Sequence, residues 1–473
     1  IPSREIGSGY FQETHPEQLF RECSHYCELV SHPEQMPRVL EIAMRTAVSR
    51  RGVAVVVLPG DVALQSVAST APHLTFPVSP PSVRPSDADI DRLAEMLNSA
   101  RKVTILGGAG CMGAHAPLME VAGKLKAPIV HALRGKEFIE YDNPFDVGMT
   151  GLLGFSSGYH AMMNCDTLLM LGTDFPYQQF YPEHATILQI DLRGEQIGRR
   201  TRVDMGMVGD VKTTLEALSP KLSQKSDDQH LRDALQHYQK AREGLNELAV
   251  GEAGRKPIHP QYVAKVLNEL AAQDAIFTCD VGTPTIWAAR YLTMNGRRRL
   301  LGSFTHGSMA SALPQAIGAQ CAYPDRQVVT LSGDGGLAML LGDLLSLHQR
   351  QLPVKLVVFK NNALSFVELE MKAAGFLDFA TELVNPNFAK MAEAAGLLGL
   401  TVETPEQLGP ALTRAFEHKG PALVEVLVNR QELAMPPALD SEQVTGFGLF
   451  LLKAVLSGRG DELVELARTN LLR

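Results

Sequence analysis

Short apolar runs that end in glycine or a polar residue alternate along this chain with stretches whose apolar positions recur every three or four residues. The runs at 103–106, 167–171, 187–190, 275–279, 328–331 and 354–359 are rich in Val, Ile and Leu on both alternating sets of positions. That pattern belongs to strands buried on both faces of a parallel sheet. Residues 37–49 and 337–351 carry helical periodicity, the former with Pro37 at its first turn. Residues 213–250 are charged and helical, a solvated face plus a connection. Strand alternating with helix predicts an α/β protein of three doubly wound parallel-sheet domains, the first one truncated, with a C-terminal helical tail. The expected boundaries are 1–78, 79–252, 253–429 and 430–473. In the first domain the run 52–58 closes on Pro59-Gly60-Asp61 and reads as a buried strand that further strands should flank. The prolines and serines of 77–85 read as a linker.

Composition narrows the function. The 473 residues carry a formal net charge of −8 with no cluster of Lys or Arg, which argues against a nucleic-acid partner. No apolar run approaches the roughly 20 residues of a membrane span. The most apolar stretch, 446–456, is interrupted by Lys453. Six scattered cysteines fit a reducing cytoplasm better than a disulfide framework. The pair Cys23 and Cys27 lacks the second pair that a structural zinc site needs, and reads instead as two cysteines of a buried helix.

The candidate chemistry centres on Val328-Val329-Thr330-Leu331-Ser332-Gly333-Asp334-Gly335-Gly336. A strand here ends in glycines, and the helix expected over 337–351 would offer free N–H groups and a positive dipole end to an anion. Gly335 and Gly336 let a diphosphate approach the main chain. The following strand ends at Lys360-Asn361-Asn362, and parallel neighbours joined by a crossover bring their C-terminal ends together. Asp334 and an Asn side chain would then share one cleft. Two oxygen ligands of that kind, with a backbone carbonyl, suit Mg²⁺ held against phosphates; helix capping by Asp334 is the plainer alternative.

Gly333-Asp334-Gly335 followed by Asn361 resembles the thiamine diphosphate motif of the pyruvate oxidase and acetolactate synthase family. The resemblance puts the metal ligands on Asp334, Asn361 and the Ala363 carbonyl, with Asn362 the other candidate, and the cofactor loop on Asn361 to Val367, through Ala363, Leu364, Ser365 and Phe366. Gly307-Ser308-Met309 resembles the element that bends the cofactor, with Met309 between its rings; a Met in an apolar stretch is otherwise core filling. Asp280-Val281-Gly282-Thr283 resembles the first loop under the cofactor. Phe366 and Glu370 match positions near the reacting carbon, and Phe11, in the glycine-rich loop Gly7 to Glu13, matches the loop sent to the substrate. From the residues alone, Phe11 sits in a surface loop and Glu370 on a solvated helix face.

The segment Gly108-Ala109-Gly110-Cys111-Met112-Gly113 is a formal G-x-G-x-x-G, but the next strand ends on His131 and not on the acid a nicotinamide site needs. It reads as a tight strand–helix turn. The resemblance implies FAD contacts elsewhere: Thr150-Gly151-Leu152-Leu153, Thr173-Asp174-Phe175-Pro176-Tyr177, and Asp191. Each alone is an ordinary loop; their joint order carries the expectation.

In the tail, Asp461 is placed to cap a helix with Leu463, Leu466, Ala467 and Leu471 on one side and Glu462, Glu465, Arg468 and Thr469 on the other. Balanced charges favour packing on protein, whereas the tail's resemblance to lipid-binding members of the family implies the membrane surface. The oxidase branch implies oxidation of pyruvate to acetate and CO₂ with thiamine diphosphate, Mg²⁺ and FAD, electrons passing to a membrane quinone. It also implies a homo-oligomer, a tetramer by expectation, in the cytoplasm on the inner face of the membrane. The chain opens at Ile1 and reads as a fragment: the family's activating Glu falls before it, so the chain alone is expected to be nearly inactive. A carboligase like acetolactate synthase, an inactive cofactor-binding subunit and a lipid-binding interaction protein are the alternatives.

Overall fold

In the computed structural model, residues 1–67, 82–432, 437, 441–457 and 459–470 are described. The chain divides into two compact units, Ile1–Ser82 and Val83–Arg473. The first holds a parallel pair of strands, β1 (Tyr26–Leu29) and β2 (Ala54–Val57), in register Tyr26 to Ala54. The helix Met36–Arg50 joins them and covers the expected 37–49. The strand expected to be buried is half-exposed along its length, because a two-stranded sheet leaves most of its faces without cover. Cys23 is exposed in a turn and Cys27 lies on β1, so neither is a buried helix cysteine. Most of the segment read as a linker lies outside the described residues.

The second unit is built on two six-stranded sheets in which every described strand pairing is parallel. The first sheet comprises β3 (Val103–Gly107), β4 (Ile129–His131), β5 (Asp146–Met149), β6 (Thr167–Leu171), β7 (Thr186–Asp191) and β8 (Met205–Val208), in the order β5-β4-β3-β6-β7-β8. The second comprises β9 (Ile276–Cys279), β10 (Arg299–Gly302), β11 (Val328–Gly333), β12 (Lys355–Lys360), β13 (Leu398–Val402) and β14 (Ala422–Leu427), in the order β10-β9-β11-β12-β14-β13. The apolar runs sit in the central strands: β3 and β6 are buried throughout, and β11 and β12 except at their last residues. In the second sheet β14 also returns to lie between β12 and β13, and the winding reverses between β3 and β6 in the first sheet and between β9 and β11 in the second. There the two crossovers leave in opposite directions and open a crevice beyond the strand C-termini.

Two helices differ from the sequence reading. The single helix expected over 337–351 is two, Asp334–Met339 and Asp343–Arg350, with the break at Leu340 to Gly342. Glycine at 342 weakens helical continuity, and the first piece starts at the Gly333–Gly336 turn itself. The tail does not leave the domain. The helix Ser441–Leu456 buries Phe450 and Ala454, and the helix Gly460–Asn470 buries Leu466. Asp461 is in the first turn of that second helix and not before it, and Thr469, assigned to the polar face, is buried and accepts from the Asn429 side chain at 3.1 Å. Leu471 lies outside the described residues. No described helix is long and apolar enough to cross a membrane.

Candidate functional site

The crevice between β9 and β11 collects the residues with chemistry. β9 runs into Asp280, whose Oδ1 accepts from the Ala312 N–H at 2.9 Å and whose backbone carbonyl accepts from Thr285 Oγ1 at 2.7 Å. Gly282 sits at φ +144, open to glycine alone, and releases the chain into the helix Thr283–Tyr291. β11 runs into Gly333-Asp334-Gly335-Gly336. A Cβ on Gly336 would fall on the Asp280 carboxylate. One on Gly335 would lie 2.9 Å from Leu364 Cδ2, 3.2 Å from Leu383 Cδ1 and 3.4 Å from Met309 Cε. The turn is therefore bare backbone packed against Asp280, Met309, Leu364 and Leu383, where any larger residue would collide with these neighbours. Gly307, at φ +75, turns the chain that delivers Ser308 and Met309.

β12 is hydrogen-bonded beside β11 with Gly333 opposite Phe359, so the asparagines after it meet Asp334. Asp334 is buried, and burial raises its carboxyl above the usual range against the pull of the Asn362, Gly335 and Asn361 N–H groups. Oδ2 accepts from Asn361 N at 3.1 Å, Asn362 N at 2.6 Å and Asn385 Nδ2 at 2.9 Å, and Oδ1 from Gly335 N at 2.9 Å. The Asn361 amide is held within its own loop: its oxygen accepts from Ala363 N at 3.0 Å and its nitrogen donates to Ser365 Oγ at 2.8 Å. Asn362 takes the left-handed conformation at φ +58. Ala363 is buried and bridges to Glu382.

The helix Ser365–Ala373 continues the loop. Ser365 and Phe366 line a small cavity with Thr283, Ile286, Glu368 and Arg430. Val367 is exposed, and so is Glu370. The buried carboxylate of this helix is Glu368, which accepts from Thr381 Oγ1 at 2.9 Å and pairs with the Arg430 guanidinium. Nothing local in the sequence distinguishes Glu368 from Glu370: the difference is which side of the helix faces Arg430, 62 residues on.

In the first sheet of this unit, the loops after β5 and β6 meet. Phe175 lies over Gly151, whose added Cβ would be 2.9 Å from the Phe175 ring and 3.5 Å from Tyr177. Asp174 is paired with Arg200 at 2.8 Å, and Thr150 and Thr173 are buried. Leu152 and Leu153 are half-buried and Pro176 is exposed. Asp191 ends β7, accepts from Arg193 N at 2.9 Å, and is raised by burial. Gly108 and Gly110 press against Gly172, the tight turn that was expected. The loop is tied to the other sheet by Arg290, which donates to the carbonyls of Leu153 at 3.0 Å and Gly154 at 3.4 Å. Phe11 lies in the first unit, on an exposed loop ordered by Glu13, which accepts from the N–H groups of Gly7, Gly9 and Tyr10.

Two family descriptions match the chain: "Thiamine pyrophosphate enzyme, C-terminal TPP binding domain" over residues 280–426, and "Thiamine pyrophosphate enzyme, central domain" over 90–218. YdaP of Bacillus subtilis is 33% identical over 471 residues, 99% of this chain and 81% of that protein. The chain belongs to the thiamine pyrophosphate enzyme family. Other relatives differ in what their names say. An uncharacterized 42.6 kDa protein of Pseudomonas amyloderamosa is 64% identical over 54% of this chain, a match that spans 65% of that protein. The acetolactate synthase isozyme 2 large subunit of Escherichia coli is 28% identical over 93% of the chain and 80% of its own length. Pyruvate oxidase of Lactiplantibacillus plantarum is 27% identical over 88% and 70%.

For a thiamine pyrophosphate enzyme the crevice is chemically suitable. A buried carboxylate, side-chain amide oxygens and a backbone carbonyl make an all-oxygen donor set for a hard divalent cation. Gly335 and Gly336 present backbone without side chains at the start of the six-residue helix, as close approach of a diphosphate to the main chain requires.

Proposed function

We propose that this thiamine pyrophosphate enzyme oxidatively decarboxylates pyruvate to acetate and CO₂, with electrons passing through FAD to a membrane quinone. The observation that carries the decarboxylation half is the convergence of Asp334, the Asn361–Ala363 turn and Met309 on one glycine turn. Thiamine diphosphate supplies the electron sink for carbon–carbon cleavage. The chain's own part would be positional: Asp334, with Asn361 or Asn362 and the Ala363 carbonyl, would hold Mg²⁺, Gly335 and Gly336 would face the diphosphate with bare backbone, and Met309 would pack against the cofactor. Phe366, Phe11 and Glu370 are assigned to the substrate by the family likeness. The oxidase half is supported by the meeting of the 150–153 and 173–177 loops beside Asp191, as FAD contacts. Apolar side chains exposed on the tail, Leu452, Val455 and Leu456 among them, support attachment to the inner face of the cell membrane.

The second reading is a carboligase, favoured by acetolactate synthase relatives as similar as the oxidase. Anaerobic mixing with pyruvate separates them. In the full-length protein carrying this chain, loaded with FAD, thiamine diphosphate and Mg²⁺, pyruvate should bleach the flavin absorbance within the time of a turnover. Acetolactate formation with the flavin left oxidised would establish the carboligase instead.

A further inference from the structure

The residues 381–385 lie along the metal loop as a short antiparallel strap. Leu364 N donates to Thr381 O at 2.8 Å, Leu383 N donates to Asn362 O at 2.9 Å, and Ala363 bridges to Glu382 between them. Beyond the strap, Lys360 Nζ donates to the Pro386 carbonyl at 2.7 Å and Asn387 caps the helix Phe388–Ala394. The main chain thus fixes Asn385 on both sides without help from its side chain. That side chain points back into the cleft, where one amide nitrogen bridges Asp334 Oδ2 at 2.9 Å and Asn362 Oδ1 at 3.1 Å.

We propose that Asn385 is a positioning residue for the divalent cation of this site. The proposal rests on the reading of Asp334 as the metal's carboxylate. With the Asn361 and Asn362 N–H groups, the Asn385 donor fills Oδ2 with three hydrogen bonds and leaves Oδ1, which accepts from Gly335 N, as the oxygen free to meet a cation. The same donor holds the Asn362 amide with its oxygen turned to Asn385, so on this reading Asn361 and the Ala363 carbonyl are the further oxygens offered to the cation. Outer partners of this kind set metal affinity by about 10–100-fold when removed. Asn385 is 51 residues from Asp334 in the chain, so no local motif announces it.

The test is calorimetric titration of Mg²⁺ into the full-length protein saturated with thiamine diphosphate, read as a dissociation constant. Asn385→Leu and the smaller Asn385→Ser should each weaken Mg²⁺ binding about 10–100-fold with the thermal midpoint of the metal-free protein little changed. Asn387→Ala, just beyond the strap, should lower the thermal midpoint through loss of its helix cap and leave Mg²⁺ affinity alone. Wild-type affinity in both Asn385 variants overturns the proposal. Wild-type protein that takes up no Mg²⁺ with the diphosphate bound overturns the metal reading of Asp334, and the proposal with it.

Discussion

Asp146 and His131 illustrate what a residue's surroundings add to its identity. Both are buried in the first sheet of the second unit, with His131 Nε2 3.6 Å from Asp146 Oδ1. Burial, helped by Glu140, pushes Asp146 up to about 7; burial, helped by Lys136, pushes His131 down to about 4. The signs oppose. Between about pH 4 and 7 the unfolded chain has lost the Asp146 proton that the folded chain keeps, so this group makes stability fall as pH rises. Between about pH 4 and 6.5 the unfolded chain holds a His131 proton that the folded chain lacks, so this group makes stability rise with pH. Together they nearly cancel. Asp146→Asn should therefore expose the histidine's contribution, with stability dropping as pH falls from 6.5 to 4, and His131→Gln should expose the opposite slope, each at most about 1.4 kcal/mol per pH unit. Urea midpoints at pH 4.5, 5.5 and 6.5 check both, and parallel slopes in the two variants would refute the pairing. At the functional site the same lesson holds. Asp334 and the asparagines after β12 are legible because strand-ending glycine and polar residues are local signals. Glu368, Arg430, Asn385 and Arg200 are not, since each gains its meaning from a partner between 26 and 62 residues away.

At the scale of elements, the strands follow from the sequence because burial on both faces demands unbroken apolar runs, and β6 coincides with the run at 167–171. Helix boundaries were less legible where two pieces follow one apolar periodicity, as at the break after Met339. The tail is the element whose role the sequence leaves most open. Its first helix packs on Ser365–Ala373, with Lys453 donating to Gly375 O at 2.7 Å, and its second is fastened by Arg459 to Asp378 and by Asn470 Nδ2 to Gln431 O at 2.8 Å. Beside these polar fastenings the tail buries Phe450, Ala454 and Leu466, so release to a membrane would have to re-bury those side chains in lipid. Deleting residues 457–473 should abolish co-sedimentation with anionic phospholipid vesicles; undiminished sedimentation would remove the tail from the membrane reading.

At the scale of the molecule, the second unit works as two sheets joined by side chains. Arg299 pairs with Glu137 at 2.8 Å, Met294 N donates to Glu140 at 2.9 Å, and Arg290 holds the 153–154 carbonyls. Among the described residues Met339, Leu345, Phe379 and Val384 are largely exposed. Large apolar side chains left in water favour burial against another copy of the chain. The full-length protein is expected to be a homotetramer, and a monomer mass by light scattering would refute this. By itself, the sequence determined the α/β class, the order of strands and helices, and the glycine turn with its carboxylate, since these depend on residues within a few positions of one another. Tertiary structure alone decided which strands are neighbours, where each sheet reverses, which glutamate of one helix is buried, and which asparagine reaches back to Asp334. Those outcomes depend on contacts between distant segments, whose partners no local pattern of hydrophobicity specifies.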